Sequence, residues 1–331
     1  MILVIGGAGY IGSHMLQLLR ESNEPHIVFD NLERGHRKAV QDSRLMVGDL
    51  RSSDDVESLL RSTPEIDVVM HFAAYAYVGE SVGEPAKYWE NNTAAVMRLL
   101  DTMRGHGISK FVFSSTCATF GEPDYIPIDE KHPQRPINPY GESKLVVEKI
   151  LDTYDHAYQT RSVCLRYFNA AGADPLGRIG EDHRPEVHLI PNAIYAAMGK
   201  TGPLKVFGSD YPTPDGTCVR DYIHVHDLAR AHLLAVQHLR NGGDSRKYNL
   251  GNGKGFSIKD VIDVVSKVTG KPVPFEMADR RPGDPATLVG GSGKIKGDWG
   301  WEPIYGDLET IVEHAWNWHR THPDGYDTVS E

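Results

Sequence analysis

Residues 1–19 read MILVIGGAGYIGSHMLQLL, and this stretch decides the fold. An apolar run over 1–5 is followed by glycines and then by apolar residues at helical spacing. Glycines here allow a tight turn and let the backbone approach a pyrophosphate, which then lies at the N-terminus of the helix. The stretch therefore predicts a buried strand, a glycine loop and a helix over 10–21 that together bind a dinucleotide.

The alternation of strand and helix continues along the chain. Further strands are predicted at 26–30, 67–72, 110–115 and 162–168, and helices at 92–104 and 139–158. Such alternation forms right-handed βαβ units, so we predict an α/β fold with a Rossmann-type, doubly wound parallel sheet. After about residue 169 the chain becomes rich in Gly and Pro, with helices near 227–239, 258–268 and 308–320. We expect a dinucleotide-binding domain over 1–169 and a smaller, irregular α/β substrate domain over 170–331; segments near 219–250 could return to the first sheet.

Composition excludes several classes of protein. The chain has 331 residues, enough for two domains, and its net charge of −10 argues against a nucleic-acid partner. No apolar run approaches the roughly 18 residues of a membrane span. The N-terminal residues lack the features of a signal peptide, and the three cysteines (Cys117, Cys164 and Cys218) form neither a zinc spacing nor a disulfide framework. We therefore expect a cytoplasmic protein with no membrane or nucleic-acid partner, and we predict no metal site.

The identity of the dinucleotide depends on Asp30, at the end of the second predicted strand. A carboxylate there accepts hydrogen bonds from the ribose hydroxyls and repels a 2′-phosphate, which favours NAD over NADP. The nearby Arg34 and Arg37 are the features that favour NADP. The residues predicted to bind the cofactor at this point are Gly6, Gly9, Tyr10, Ile11, Gly12 and Asp30.

A tyrosine and a lysine are candidates for catalysis. Tyr140 and Lys144 are four residues apart and share one helical face, and Asn138-Pro139 form a good helix start. A nearby ammonium favours the phenolate, so the pair could remove the proton of a sugar hydroxyl as hydride leaves the same carbon. Thr116, at the end of a predicted strand, offers a third hydroxyl. The alternative for this pair is a surface Tyr–Lys contact.

Several motifs, in this order, resemble those of UDP-glucose (UDP-galactose) 4-epimerases, which belong to the extended short-chain dehydrogenase/reductase family. They are the glycine loop, VGES (78–81), SST (114–116), YGESK (140–144), RYFN (166–169), GSDY (208–211), DGT (215–217), VRDYIHV (219–225) and YNLG (248–251). The similarity extends from about residue 1 to about residue 325.

The resemblance implies a mechanism and an assembly. Tyr140 takes the 4-hydroxyl proton, NAD takes the hydride from C4, and a transient 4-keto sugar turns and receives the hydride on its other face. NAD is tightly bound and regenerated in each turnover. Similar epimerases form homodimers through helices near 92–104 and 139–158, so we expect a homodimer here.

The resemblance also assigns further residues to each ligand. The cofactor would contact Asn31, Asp49, Leu50, Phe72, Ala73, Ala74, Asn92, Tyr140, Lys144 and Phe168. The UDP-sugar would contact Thr116, Asn169, His188, Leu189, Lys205, Val206, Phe207, Arg220, Arg281, Asp284 and Leu288. Arginines at 220 and 281 suit a diphosphate on physical grounds, and the alternative for each is a structural salt bridge.

Departures from the pattern bear on the substrate. Ala76 stands where many galactose epimerases have Lys, and the segment 76–80 also resembles UDP-pentose 4-epimerases. Thr116 replaces a common Ser, a small change. Leu288 stands where a Tyr closes the sugar pocket in some members, which implies room for UDP-N-acetylhexosamines unless Leu288 is only a core residue.

Two other functions are open on this scaffold. Sugar-nucleotide dehydratases and decarboxylases place an acidic residue directly after the Ser/Thr, whereas this chain has Cys117-Ala118. Non-catalytic NAD-binding proteins typically lack the Tyr–Lys pair, which this chain keeps. We therefore predict NAD-dependent C4 epimerisation of UDP-glucose and UDP-galactose, with UDP-pentose or UDP-N-acetylhexosamine epimerisation as the alternative.

Overall fold

A computed structural model describes residues 1–281 and 284–327. The described chain forms two compact units. Unit 1 comprises residues 1–122, 133–166 and 229–248, and unit 2 comprises the described residues within 123–132, 167–228 and 249–331. The predicted division into domains at 169/170 stays a prediction, and the segment 229–248 belongs to the unit that begins the chain.

Strands and helices follow in the order of the chain. The strands are β1 (Ile2–Ile5), β2 (His26–Asp30), β3 (Leu45–Val47), β4 (Val68–His71), β5 (Lys110–Thr116), β6 (Arg161–Tyr167), β7 (Asn169–Ala171), β8 (Leu204–Phe207), β9 (Val219–Arg220), β10 (Tyr222–His224), β11 (Arg246–Leu250), β12 (Phe256–Ser257), β13 (Phe275–Ala278) and β14 (Thr287–Leu288). The α-helices are α1 (Tyr10–Glu21), α2 (Arg37–Val40), α3 (Ser53–Ser62), α4 (Val78–Gly83), α5 (Pro85–Tyr88), α6 (Ala95–Gly105), α7 (Pro139–Tyr158), α8 (Leu189–Met198), α9 (Val225–Arg240), α10 (Ile258–Thr269), α11 (Gly293–Trp299) and α12 (Leu308–Thr321). A π-helical turn (Trp89–Ala94) and two 3₁₀ turns (Cys117–Thr119 and Gly325–Asp327) complete the set.

Unit 1 is built on a seven-stranded sheet in the order β11-β6-β5-β4-β1-β2-β3. The pairs β1–β2, β1–β4, β2–β3 and β4–β5 are parallel. The order 3-2-1-4-5-6 is that of a dinucleotide-binding Rossmann sheet, whose ligands lie at the carboxyl ends of the strands where the order reverses. The predicted fold class is confirmed, and the switch point falls between β1 and β4.

The core of unit 1 explains why these segments became strands. All four residues of β1 and of β4 are buried, as expected for central parallel strands covered on both faces. Helix α1 buries Met15, Leu16 and Leu19, whose spacing gives it an apolar face. The helix predicted at 92–104 begins differently, because a π-helical turn precedes α6.

Unit 2 has smaller sheets: β7–β10, β8–β13 and β12-β9-β14. Its core gathers apolar residues of α8, α10 and α12. Helix α10 is well specified, because Ser257 and Asp260 form a capping box at its start and Gly270 ends it in the left-handed region. No helix among the described residues has the length and apolar character needed to cross a membrane.

Candidate active site

Gly6 and Gly12, in the loop between β1 and α1, leave no space for a side chain. A Cβ added to Gly6 would lie 2.4 Å from the backbone N of Ala73, and Gly6 has a φ of +79°. A Cβ on Gly12 would lie 2.2 Å from the carbonyl O of Gly6. The loop thus begins next to the end of β4, and Gly9 is the N-cap of α1 with no side chain to cap it. This is the backbone cradle that a pyrophosphate requires.

The carboxylate of Asp30 is held at the carboxyl end of β2. Its two oxygens accept backbone N–H bonds from Ala8 (2.9 Å) and Leu32 (2.8 Å). Burial raises the pKa of Asp30, an effect that these two hydrogen bonds partly oppose. One N–H bond to each oxygen leaves further lone pairs for ligand hydroxyls.

Asn31, directly after Asp30, and Asp49, just after β3, are hydrogen-bonded to each other. Arg51 donates from Nε and Nη2 to Asp49 at 2.9 and 2.6 Å, and Asn31 Nδ2 lies 3.3 Å from Asp49 Oδ2. Bonding to Arg51 lowers the pKa of Asp49 to about 2. The predicted contact of Asp49 with the cofactor stays a prediction, and the adjoining Leu50 is buried.

The π-helical turn positions Asn92. Its side chain accepts from the backbone N of Tyr75 (3.0 Å) and donates to the Tyr75 carbonyl (2.9 Å), just after Phe72, Ala73 and Ala74. Asn92 Nδ2 also donates to Ser143 Oγ at 3.2 Å, and that hydroxyl donates to the Tyr140 carbonyl at 2.7 Å. Asn92 therefore connects the loop after β4 to the first turn of α7. π-Helical turns of this kind are frequent at functional sites.

Lys144 is a buried cation. Its Nζ donates to the carbonyl O of Ser114 at 2.9 Å and lies 4.7 Å from the centre of the Phe113 ring. Burial lowers the pKa of Lys144 to about 7, although Glu148 opposes this shift. The ammonium is therefore close to its titration point at neutral pH.

Tyr140 and Thr116 lie at the same end of the unit 1 sheet as Lys144. Asn138 Oδ1 caps α7 by accepting from Gly141 N (2.9 Å), with Pro139 in the first turn, as the sequence predicts. Tyr140 is half-buried, and its ring lies 6.3 Å from that of Tyr88. Thr116 ends β5 and caps the following 3₁₀ turn. The three catalytic candidates all belong to unit 1.

The predicted nucleotide-binding residues belong to unit 2 together with Phe168, which was predicted to contact the cofactor. Arg220 is mostly buried and forms an ion pair with Asp284. Arg281 is exposed and stacks its guanidinium 3.9 Å from the centre of the Phe207 ring. Arg220 ends β9, and Arg281 lies against Phe207 at the end of β8. Guanidinium groups such as these suit a diphosphate.

Other residues of this predicted set differ in what they can offer. Lys205 is exposed, whereas the side chain of Val206 is buried in the unit 2 core, so only its backbone could meet a ligand. Asn169 Nδ2 donates to the carbonyl of Asp221 at 3.0 Å. Leu288 pairs in register with Arg220 and is only partly buried. Pro282 and Gly283, which lie between the predicted ligand residues Arg281 and Asp284, are outside the described residues.

His188 lies immediately before Leu189, the first residue of α8, and its Nδ1 is 2.8 Å from Glu181 Oε1. His183 and Glu186 complete a cluster around these two residues. The sequence prediction assigned His188 to the substrate and no role to the other three. The spacing E-x-H-x-x-E-x-H over 181–188 was the available signal.

The strand order and the glycine loop define a Rossmann-fold dinucleotide-binding protein. Residues 2–251 match the model of the NAD dependent epimerase/dehydratase family. The chain belongs to this family.

Relatives cover the chain almost completely. A UDP-glucose 4-epimerase of Halalkalibacterium halodurans is 55% identical over 330 residues, covering 100% of this chain and 98% of that protein. The structure of UDP-glucose 4-epimerase from Brucella ovis in complex with NAD has a TM-score of 0.92 and 47% identity, covering 95% of this chain and 97% of the other. The structure of UDP-glucose 4-epimerase from Bifidobacterium longum in complex with NAD+ and UDP has a TM-score of 0.93 and 36% identity, covering 98% of this chain and 99% of the other. The predicted resemblance is confirmed.

Proposed function

We propose that this protein is an enzyme that interconverts UDP-glucose and UDP-galactose by NAD-dependent epimerisation at C4. The observation that carries the proposal is the arrangement of Tyr140, Lys144 and Thr116 at one end of a Rossmann sheet whose glycine loop can cradle a pyrophosphate. The relatives named above are UDP-glucose 4-epimerases, and the chain covers 97% of the Brucella ovis protein and 98% of the Halalkalibacterium halodurans protein. The predicted function and NAD requirement agree with the family.

The residues of unit 1 fit NAD. Gly6 and Gly12 leave the backbone open to the pyrophosphate, and Asp30 presents its carboxylate to the ribose hydroxyls. Bound NAD supplies a hydride acceptor that later returns the hydride, so there is no net oxidation. Ala73 and Asn92 shape the loop after β4 that faces the glycine loop.

The chemistry of the chain itself is proton transfer. Tyr140 removes the proton of the 4-hydroxyl and later returns it to the 4-keto sugar. Lys144 shares the helical face of Tyr140, and in its charged form it favours the phenolate. Thr116 would hold the same sugar oxygen through its hydroxyl. In unit 2, Arg220 and Arg281 would neutralise the diphosphate of UDP.

The direct test is to incubate the purified protein with UDP-galactose alone and to follow the sugar by NMR. We expect UDP-glucose at equilibrium without added cofactor, because the protein retains its NAD. A dehydrated product, no product at all, or a requirement for an external reductant would refute epimerisation. The pentose alternative is tested in the same way with UDP-xylose.

A second substrate class is favoured by Leu288. This residue lies on β14 beside Arg220, is only partly buried, and is absent from the unit 2 core. A leucine leaves free the space that a tyrosine would fill next to the sugar. We therefore propose that UDP-N-acetylhexosamines are accepted together with the plain hexoses.

The variant Leu288→Tyr tests this breadth. Overfilling a packed site costs about 1–3 kcal/mol, or roughly one to two decades of discrimination. We expect kcat/KM for UDP-GlcNAc to fall by that amount while kcat/KM for UDP-glucose is nearly unchanged. Leu288→Met, which nearly conserves volume, is the control. An equal loss on both substrates, or none on either, would remove Leu288 from this role.

The assembly is proposed to be a homodimer. Exposed apolar side chains on the helices concerned support it, namely Met97 of α6 (44% exposed) and Tyr158 of α7 (48%). Light scattering should give twice the chain mass of 36.8 kDa, and Met97→Glu should weaken the dimer. Met277→Glu, on an exposed strand of unit 2, is the control. A wild type that stays monomeric at micromolar concentration would refute the dimer.

We also propose a cytoplasmic location. None of Cys117, Cys164 and Cys218 forms a disulfide bond among the described residues, which suits a reducing compartment. Fractionation of the producing cells should place the activity in the cytosolic fraction, and recovery from the medium or the membrane would refute this location.

A further inference from the structure

Four potential metal ligands converge in unit 2. Glu181, His183, Glu186 and His188 follow one another within the connection between β7 and α8. Each offers one oxygen or imidazole nitrogen, and these four atoms all lie within 4.8 Å of one another. Among the described residues, this is the one group of three or more His, Cys, Asp or Glu side chains whose ligand atoms lie this close together. None of the four is needed for the proton transfer proposed above.

The two carboxylates of the cluster are buried side by side. The side chains of Glu181 and Glu186 are 4% and 6% exposed. Glu181 Oε1 and Glu186 Oε2 accept no hydrogen bond of good geometry, although His183 Nδ1 lies 3.0 Å from the first and 3.7 Å from the second. Burying adjacent carboxylates is costly unless positive charge lies between or beside them.

A divalent cation would meet this requirement. The Nδ1 atoms of His183 and His188 lie 3.0 and 2.8 Å from Glu181 Oε1, so the cluster brings imidazole nitrogens and carboxylate oxygens close enough together to share one ion. Imidazole nitrogens and carboxylate oxygens are both ligands of Zn²⁺, and four protein ligands make a closed, tetrahedral site. Soft sulfur ligands are absent from the cluster, which disfavours Cu(I) and iron–sulfur groups.

We propose that Glu181, His183, Glu186 and His188 bind one divalent transition-metal ion, with Zn²⁺ the best fit. The site is structural, because four protein ligands leave no open position for a reacting group. The side chain of His188 is 42% exposed, which leaves a path by which the ion enters.

The competing arrangement is a metal-free network of ion pairs. Burial lowers the pKa of His183, but the neighbouring Glu181 and Glu186 outweigh it and raise the pKa to about 9. Protonated histidines could then neutralise the carboxylates without a metal. The two arrangements differ in metal content, which makes that content the decisive measurement.

Metal binding would tie the loop to helix α8. His188 precedes Leu189, where α8 begins, and the backbone carbonyl of Glu181 accepts from Trp318 Nε1 of α12 at 3.3 Å. The ion would therefore fix the start of α8, where Leu189 was predicted to contact the nucleotide. The bound ion would also make His188 unavailable to the substrate. The metal site does not depend on the proposed reaction.

The experiment measures the zinc content of tag-free protein by mass spectrometry after exhaustive dialysis. We expect about one zinc per chain in the wild type. The variants His183→Asn and Glu186→Gln should lose the zinc. Removing a residue that merely hydrogen-bonds to a metal ligand costs roughly 10–100-fold in affinity, and removing a ligand itself should cost at least as much. His156→Asn, an exposed histidine of α7, is the matched control and should keep the ion.

A second measurement holds even if the variants fold poorly. Wild-type protein is stripped with a chelator, checked for folding by circular dichroism, and titrated with Co²⁺ and Zn²⁺. We expect the absorption of tetrahedral Co²⁺ to appear and to be displaced by Zn²⁺, with affinity tighter than about 1 μM. Folded wild type that binds neither ion, or a folded His183→Asn variant that binds as tightly, would overturn the metal site in favour of the ion-pair network.

Discussion

Helix α7 carries two buried charged side chains, one turn apart, and they differ in what neutralises them. Lys144 has a carbonyl acceptor at 2.9 Å and, four residues on, the partly opposing charge of Glu148. Glu148 itself is fully buried and is held by the guanidinium of Arg166 at 2.6–3.2 Å and by the hydroxyl of Ser115. The surroundings of Lys144 keep its ammonium near its titration point, whereas Glu148 and Arg166 hold each other in their charged forms.

This difference separates residues that serve a ligand from residues that serve the fold. A buried ion pair with several hydrogen bonds keeps both partners ionised over the working pH range. A buried lysine without a dedicated carboxylate depends on what binds beside it. Asp30 belongs with Lys144, because its two backbone N–H bonds leave lone pairs unused and burial raises its pKa.

The largest effect is expected where the ligand-serving region performs proton transfer. Tyr140→Phe removes the phenol but keeps the ring, and acid–base groups contribute about 10²–10⁴-fold. We expect kcat for UDP-galactose to fall by at least that factor while NAD stays bound. Tyr158→Phe, at the exposed end of the same helix, should change little. Near-normal turnover in the Tyr140 variant would remove it from the site.

The next effect concerns the fold-serving region. Glu148→Gln leaves Arg166 buried without its carboxylate, and breaking a buried pair costs about 3–5 kcal/mol of unfolding free energy. Chemical denaturation would measure it, and activity per folded molecule should be largely kept. Asp152→Asn, on the same helix, breaks the surface pair of Asp152 with Lys247 of β11 and should cost no more than about 1 kcal/mol. Equal effects would abolish the distinction between the two kinds of charge.

A smaller effect is expected at Asp30. Asp30→Ala removes hydrogen bonds from a charged acceptor, each worth about 1.5–3 kcal/mol, so NAD affinity should fall roughly 10–100-fold. Discrimination against NADP should soften because the repelling carboxylate is gone. The measurement is titration of cofactor-stripped protein with both nucleotides. A variant with unchanged NAD affinity would place the ribose elsewhere.

The last effect, which is the smallest when it is expressed per pH unit, is a dependence of the free energy of unfolding on pH. The pKa of Lys144 is lowered from 10.5 to about 7 on folding, so between these values the unfolded chain holds a proton that the folded one releases. Stability of the wild type therefore rises with pH across this window by up to about 1.4 kcal/mol per unit. Lys144→Met should be more stable than wild type below pH 7, and its advantage should shrink as pH rises to 10.5.

The control for this measurement is Lys149→Met, an exposed lysine of α7, whose difference from wild type should stay constant with pH. A flat difference curve for Lys144→Met as well would mean that the Lys144 ammonium is stably charged and belongs with the fold-serving group.

Local signals made much of the fold predictable. Strand β2 and helices α1 and α7 have the predicted bounds, because glycines, a cap and a proline mark where they begin. The short elements β3 and α2 were missed, since a few residues carry too little periodicity to identify a helix or strand. Helix α3 was also missed, although Ser52 caps it and its buried residues Val56, Leu59 and Leu60 have helical spacing.

The site divides in the same way. Tyr140 and Lys144 are neighbours along one helix, so their spacing reveals them. Ser114 and His232 are joined by a hydrogen bond of 3.0 Å across 118 positions, which no local pattern indicates. The cluster at 181–188 does have a local pattern, but it lacks cysteine, and only the folded loop shows that its side chains converge.

The π-helical turn at Trp89–Ala94 has a consequence for how this chain can vary in length. Such a turn amounts to one extra residue in a helix, so deleting a single position there would restore α-helical geometry without breaking the helix. The deletion would rotate Asn92 by about 100° around the helix axis, away from Tyr75 and Ser143. In aligned relatives, a gap of one residue at this turn should therefore coincide with a changed partner for the loop after β4.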